Sequence, residues 1–154
     1  MMSLLRSGAA AAVAGVAFIA AGAHADGTAF GTDEDIQETV PALIEYVEEN
    51  GSDAAIEALD DPDHEFGGHN LGLMIWVDGQ MGMHNRYPEL AGVDFDQLQD
   101  LEGNYVIEDF SAAADAGGDY SLNYWPHYDT EEEYEYHCWS EWVEEPRILV
   151  AACR

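Results

Sequence analysis

Two cysteines stand at mirror-image positions about a turn. Cys138 lies seven residues before Glu145 and Cys153 seven after Pro146, and those two residues form the centre of Glu144-Glu145-Pro146-Arg147. The flanking segments, 135–143 and 147–152, are rich in aromatic and β-branched residues and read as strands. Folded about that turn as a hairpin, they place the cysteines directly opposite each other, where a disulfide would staple the register of the last two strands. The alternative is a pair of buried free thiols, and the compartment decides between them.

The N-terminus gives the compartment. Residues 1–8 carry Arg6, residues 9–23 are an uncharged run rich in Ala and Val, and Ala23-His24-Ala25 has small residues at the spacing of a leader cleavage site. The pattern is that of a secretory signal peptide over residues 1–25. Its 15-residue apolar run is short of the roughly 20 residues a membrane-spanning helix needs. No later segment is long enough either, so no membrane insertion is expected after cleavage. Residues 26–154 then make one domain that is periplasmic or secreted. An oxidising compartment favours the Cys138–Cys153 disulfide.

Charge narrows the partners. The chain has 32 Asp and Glu against four cations, a formal charge of −28, and it contains no lysine. The cations are Arg6, Arg86, Arg147 and Arg154. Such a surface repels phosphate backbones and anionic lipids alike, which excludes nucleic acid and membrane surfaces as partners. Disorder is excluded by the 47% of residues that are apolar. The acids fall in short dispersed runs such as Asp60-Asp61-Pro62-Asp63 and Glu131-Glu132-Glu133, the pattern of a solvated acidic surface adapted to salt. A halophilic protein of this kind is expected to gain stability in molar NaCl as self-repulsion is screened. An unchanged melting temperature between dilute and concentrated salt would remove that reading.

Periodicity supplies the other elements. Ile36, Val40, Leu43, Ile44 and Val47 recur at helical spacing and predict a long amphipathic helix over 33–49, with Gly51 as its C-cap. Ser52 is placed to cap a second helix through Leu59. Residues 71–77 form a dense apolar run, Asp78-Gly79 a hairpin signal and 80–84 its return strand. A loop over 85–103 precedes a helix that Asn104 would cap and that ends before Gly117-Gly118. Strands at 120–125, 135–143 and 147–152 complete an α+β fold, a long N-terminal helix packed on a five-stranded sheet, antiparallel because the connections are short.

The motifs in this frame resemble a family. Phe66-Gly67-Gly68-His69-Asn70-Leu71-Gly72-Leu73-Met74-Ile75-Trp76-Val77-Asp78-Gly79, then Met83-His84-Asn85-Arg86-Tyr87-Pro88, Asp100-Leu101-Glu102-Gly103 and Tyr124-Trp125-Pro126 follow in the order of type 2 single Cache domains. The resemblance covers about 33–154. It implies a PAS-like sheet and extracytoplasmic sensing of a small molecule, commonly a carboxylate. The family places a lysine shortly after the Trp-Pro signature, whereas Glu131-Glu132-Glu133-Tyr134-Glu135-Tyr136 holds no cation. An anion therefore cannot be held through that lysine here. Relatives are often fused to a transmembrane helix and a signalling domain, and a chain ending at Arg154 is expected to signal through a partner receptor or sensor kinase.

The candidate ligand-binding residues are Arg86, His84, Trp76, Tyr124, Trp125, Tyr136 and Asp100. Arg86 suits a bidentate carboxylate, of a ligand or equally of a neighbouring acid. His84 can donate or accept. Trp76, Tyr124 and Trp125 offer flat apolar walls, but successive strand residues face opposite ways, so at most one of Tyr124 and Trp125 lines a pocket. His64, His69, His127 and His137 occur without HExxH or Cys/His ligand spacing. No metal, cofactor or enzyme activity is implied, since no nucleophile elbow or phosphate-binding glycine loop occurs. The competing reading is a protein–protein interaction module with a vestigial pocket.

Overall fold

Two stretches are apolar without alternation, Gly-Leu-Met-Ile-Trp-Val at 72–77 and Ile-Leu-Val-Ala-Ala-Cys at 148–153, and such runs suit strands covered on both faces. In the computed structural model, which describes residues 31–127 and 130–154, they pair side by side at the centre of a sheet. The leader expected at 1–25 lies outside the described residues. The elements run α1 (Asp33–Asn50), α2 (Ser52–Asp60), β1 (Gly72–Val77), β2 (Gln80–His84), α3 (Val106–Asp115), β3 (Asp119–Pro126), β4 (Glu133–Val143) and β5 (Ile148–Cys153). The sheet order is β2-β1-β5-β4-β3 and every neighbouring pair is antiparallel. Among the described residues no helix is long and apolar enough to cross a membrane.

The helix α1 begins in a capping box. The Thr32 hydroxyl accepts from the Asp35 amide at 3.2 Å, and the Asp35 carboxylate accepts from the Thr32 amide at 2.6 Å. Three acids in its first turn, Asp33, Glu34 and Asp35, also suit the positive end of the helix dipole. The stripe Ile36, Val40, Leu43 and Val47 is buried. Gly51, at φ 86°, both ends α1 and starts α2. Ser52 therefore falls inside the second helix and does not cap it, as the sequence had suggested. The cap expected of Asn104 is also absent, because its amide side chain and backbone N–H donate to Asp100 instead.

Strand alternation gives the sheet two different faces. Leu73, Ile75, Ile148, Val150 and Ala152 pack with α1 and α2, whereas Met74, Trp76, Leu149, Ala151 and Cys153 pack with α3. The register slips between Ile75↔Met83 and Trp76↔Met81, leaving Gly82 as a bulge. The slip turns Met83 toward the helix pair while Met81 and His84 both face the α3 side. A Cβ on Gly82 would come to 3.0 Å from the Ile56 side chain, so the bulge suits glycine.

Cys138 and Cys153 are opposite in the β4–β5 register and form a disulfide. The outer edge of β2 is covered by the following loop, where the Met81 amide donates to the Val93 carbonyl (2.9 Å) and the Gly92 amide to the Met81 carbonyl (2.7 Å). The other edge strand, β3, pairs with β4, and its Tyr124 carbonyl also accepts the Leu101 amide at 2.8 Å. At the far end of β5, Arg154 Nε reaches Asp33 Oδ1 at 2.5 Å and ties the last strand to the start of α1.

Candidate functional site

The α3 face carries a cavity. Its floor is the sheet, with Met74 and Trp76 from β1, Met81 from β2, Tyr136 and Cys138 from β4 and Cys153 from β5. Its roof comes from Leu90 and Leu98 in the loop and from Val106 and Phe110 on α3. Trp76 and Phe110 meet edge to face across it, ring centres 5.3 Å apart. Asn123 and Trp125, two apart on β3, close one side, and His84 and Tyr87 close the other. The free volume is small, about 20 Å³, room for one water. Among the described residues no carboxylate, arginine or other formally charged side chain lines it.

The polar groups of the lining are mostly held in place. His84 Nδ1 accepts the Arg86 backbone N–H at 3.1 Å, which puts the proton of the neutral ring on Nε2. Burial first, and then the nearby Arg86 guanidinium, push the imidazole pKa down to about 3. His84 is therefore an uncharged wall at neutral pH. The hydroxyls of Tyr87 and Tyr136 both donate to the Pro126 carbonyl, at 2.5 and 3.3 Å. Burial raises the Tyr87 phenol, with Glu89 adding to the effect, so it too stays neutral.

Of the residues predicted from sequence, four meet at this cavity: Trp76, His84, Trp125 and Tyr136. Tyr124 points away, as strand alternation requires, and its hydroxyl donates to Glu135 across the strands at 2.9 Å. Asp100 lies outside the lining, tied into a turn. Its carboxylate accepts from the Glu102, Asn104 and Tyr124 amides and from the Asn104 side chain. Burial works to raise its pKa, but these hydrogen bonds outweigh it and hold the carboxyl below the usual range. Arg86 is half-buried beside the site without lining it, and its charge acts on His84 and Tyr87.

Asn123 and Tyr87 were missed. A signal for Asn123 was available: it stands two before Trp125, on the same face, as a lone amide in the middle of a strand. Tyr87 lies in a loop, where no periodicity indicates direction. Among the described residues no group of three His, Cys, Asp or Glu is placed to hold a metal ion.

A five-stranded antiparallel sheet with two helices on one face and a loop-roofed cavity on the other defines a PAS-like sensor fold. A family model described as Cache domain matches residues 33–154, and the chain belongs to the Cache domain family. Three solved structures share the fold. One is the periplasmic sensor domain of a chemotaxis protein, at 19% identity and TM-score 0.59, with 76% of this chain and 88% of that one covered. The second is a methyl-accepting chemotaxis protein from Vibrio parahaemolyticus, at 14% identity and TM-score 0.61, with 79% and 86% covered. The third, a Cache chemosensory domain described for its carboxylic acid recognition, matches at 16% identity and TM-score 0.59, with 79% and 90% covered. No curated protein matches.

Proposed function

We propose that the chain is an exported sensor domain, periplasmic or secreted, that takes a small metabolite into the cavity between sheet and α3 and reports occupancy to a partner receptor or sensor kinase. The observation that carries this reading is the convergence of Trp76, His84, Trp125 and Tyr136, residues from four different strands, on one loop-roofed space. Family membership and the chemosensory proteins that share the fold support it. The reading involves no chemistry on the ligand.

With about 20 Å³ free, a metabolite enters only as the roof moves. Binding thus selects a roof position that differs from the empty one, and a partner able to distinguish the two receives the signal. The closed space also favours one other reading, an interaction module whose pocket has become vestigial. A thermal-shift screen of small carboxylates, amines, amino acids and uncharged compounds in molar NaCl separates the two. A ligand that raises the melting temperature supports sensing. An empty screen beside a partner that co-purifies with the unliganded protein supports the module. For a carboxylate hit, Arg86→Ala should abolish the shift if that guanidinium swings in to meet the anion.

A further inference from the structure

Asn123 is 0% exposed, and its side-chain oxygen has no hydrogen-bond partner. Its nitrogen donates to the Ser121 hydroxyl at 3.3 Å, which leaves Oδ1 as an unmet acceptor on the cavity wall. A buried amide oxygen without a donor has lost its hydration uncompensated, so a strand interior that keeps one calls for an explanation. The surroundings say what could meet it. In a chain with 32 acids, no acid and no arginine among the described residues reaches the lining, the imidazole there, His84, is neutral, and the Tyr87 and Tyr136 hydroxyls both donate to the Pro126 carbonyl. The remaining walls are thioether, aromatic and aliphatic groups such as Met74, Met81, Leu98 and Phe110. An anion would touch no cationic side chain in this lining, with Arg86 beside the site and not in it, and would face a carbonyl oxygen; an ammonium would go unneutralised as well.

We propose that the cavity is selective for a small uncharged molecule, apolar along most of its length, that carries one N–H or O–H donor, and that Asn123 Oδ1 is the acceptor that orients it. The inference rests on the cavity being the ligand site and departs from the carboxylate class to which one solved neighbour is tied. Specificity follows from the unmet acceptor. A molecule of the same shape without a donor leaves Oδ1 unsatisfied, and a charged one loses its hydration without gaining an ion pair at the lining.

Four probes sharing an isopropyl group and nearly one shape test it in molar NaCl: isobutyramide, isobutyrate, isobutylammonium and 3-methyl-2-butanone. At about twentyfold over a millimolar Kd, isobutyramide is expected to raise the melting temperature by about 5 °C, with little shift from the other three. Asn123→Leu removes an unsatisfied group, so it is expected to fold at least as stably as the wild type while abolishing the amide shift. Asn123→Asp is expected to move the preference to isobutylammonium. A ketone shift equal to that of the amide, or an amide shift that survives Asn123→Leu, overturns the inference. A carboxylate shift larger than the amide's also overturns it, and leaves the sensor reading intact. If no probe shifts the protein and a crystal structure shows a water alone on Oδ1, the inference fails; an empty metabolite screen as well would take the sensor reading with it.

Discussion

The two faces of the sheet are built to different specifications. On the side of α1 and α2 the centre is aliphatic, with Ile36, Val40, Leu43, Leu73, Ile75 and Val150 all at 0% exposure, and aromatic rings such as Phe66, Tyr120 and Trp139 pack against it; the described cavity is not there. On the side of α3 the same strands present methionines, aromatic rings, a neutral histidine and an orphaned amide around a void. Residues adjacent in sequence thus serve opposite ends. Close packing supplies stability on one face, and incomplete packing leaves the other able to respond.

Adjacent truncations on β1 break or sharpen the contrast most directly. Ile75→Ala, on the helix-packed face, is expected to cost about 3–4 kcal/mol, and Met74→Ala, which merely widens an existing void, less than about 2 kcal/mol. Urea denaturation of both variants measures the difference, and equal losses would show that the faces are packed alike. Removing the disulfide with Cys138→Ser and Cys153→Ser together is expected to lower stability by about 3 kcal/mol while leaving the sheet intact by circular dichroism.

Acid should reach the cavity face through His84. The unfolded chain protonates this ring near its ordinary pKa of 6.5, and the folded one only near 3. Its contribution to stability is therefore complete above pH 6.5 and drains away as pH falls from 6.5 towards 3. At pH 5 the loss is about 2 kcal/mol relative to pH 8, and His84→Gln should lack it. The difference between wild type and variant isolates this from the relief of acidic self-repulsion, which both share. The smallest effect belongs to the partly exposed Arg154–Asp33 pair. Asp33→Asn is expected to cost under about 1 kcal/mol, and less in high salt.

How much was legible follows the range of the interactions involved. The mirror placement of Cys138 and Cys153 gave a hairpin register that the structure repeats residue for residue, because a disulfide and a turn are local statements about the same two strands. The unbroken apolar runs marked the strands that became the sheet's centre. The bulge at Gly82 was invisible: the register slip there puts Met81 on one face with His84 and not with Met83, and the side chain that crowds the bulge, Ile56, comes from another element. The same holds for Asn104, a sound cap by type, which is drawn away by a carboxylate that collects four donors. Asp100 and Arg86 are expected from sequence to contact a ligand because charge in a loop invites that reading. The structure spends the first on a turn and leaves the second just outside the lining.

The covalent floor gives the cavity a mechanical polarity. Cys138 and Cys153 border the void and lock β4 to β5, so a guest pressing down on the sheet meets something close to an anvil. The roof is held by hydrogen bonds and no covalent link, among them the Val106 amide to the Leu98 carbonyl at 3.2 Å, the Ser140 hydroxyl to the Phe110 carbonyl at 2.8 Å and the Tyr87 hydroxyl to Pro126. On the proposed sensing role, work done by an entering molecule would be delivered upward, into α3 and the loop before it. Reduction is expected to soften the floor and divide that displacement between both sides, which hydrogen exchange of β5 amides in the oxidised and reduced protein would resolve.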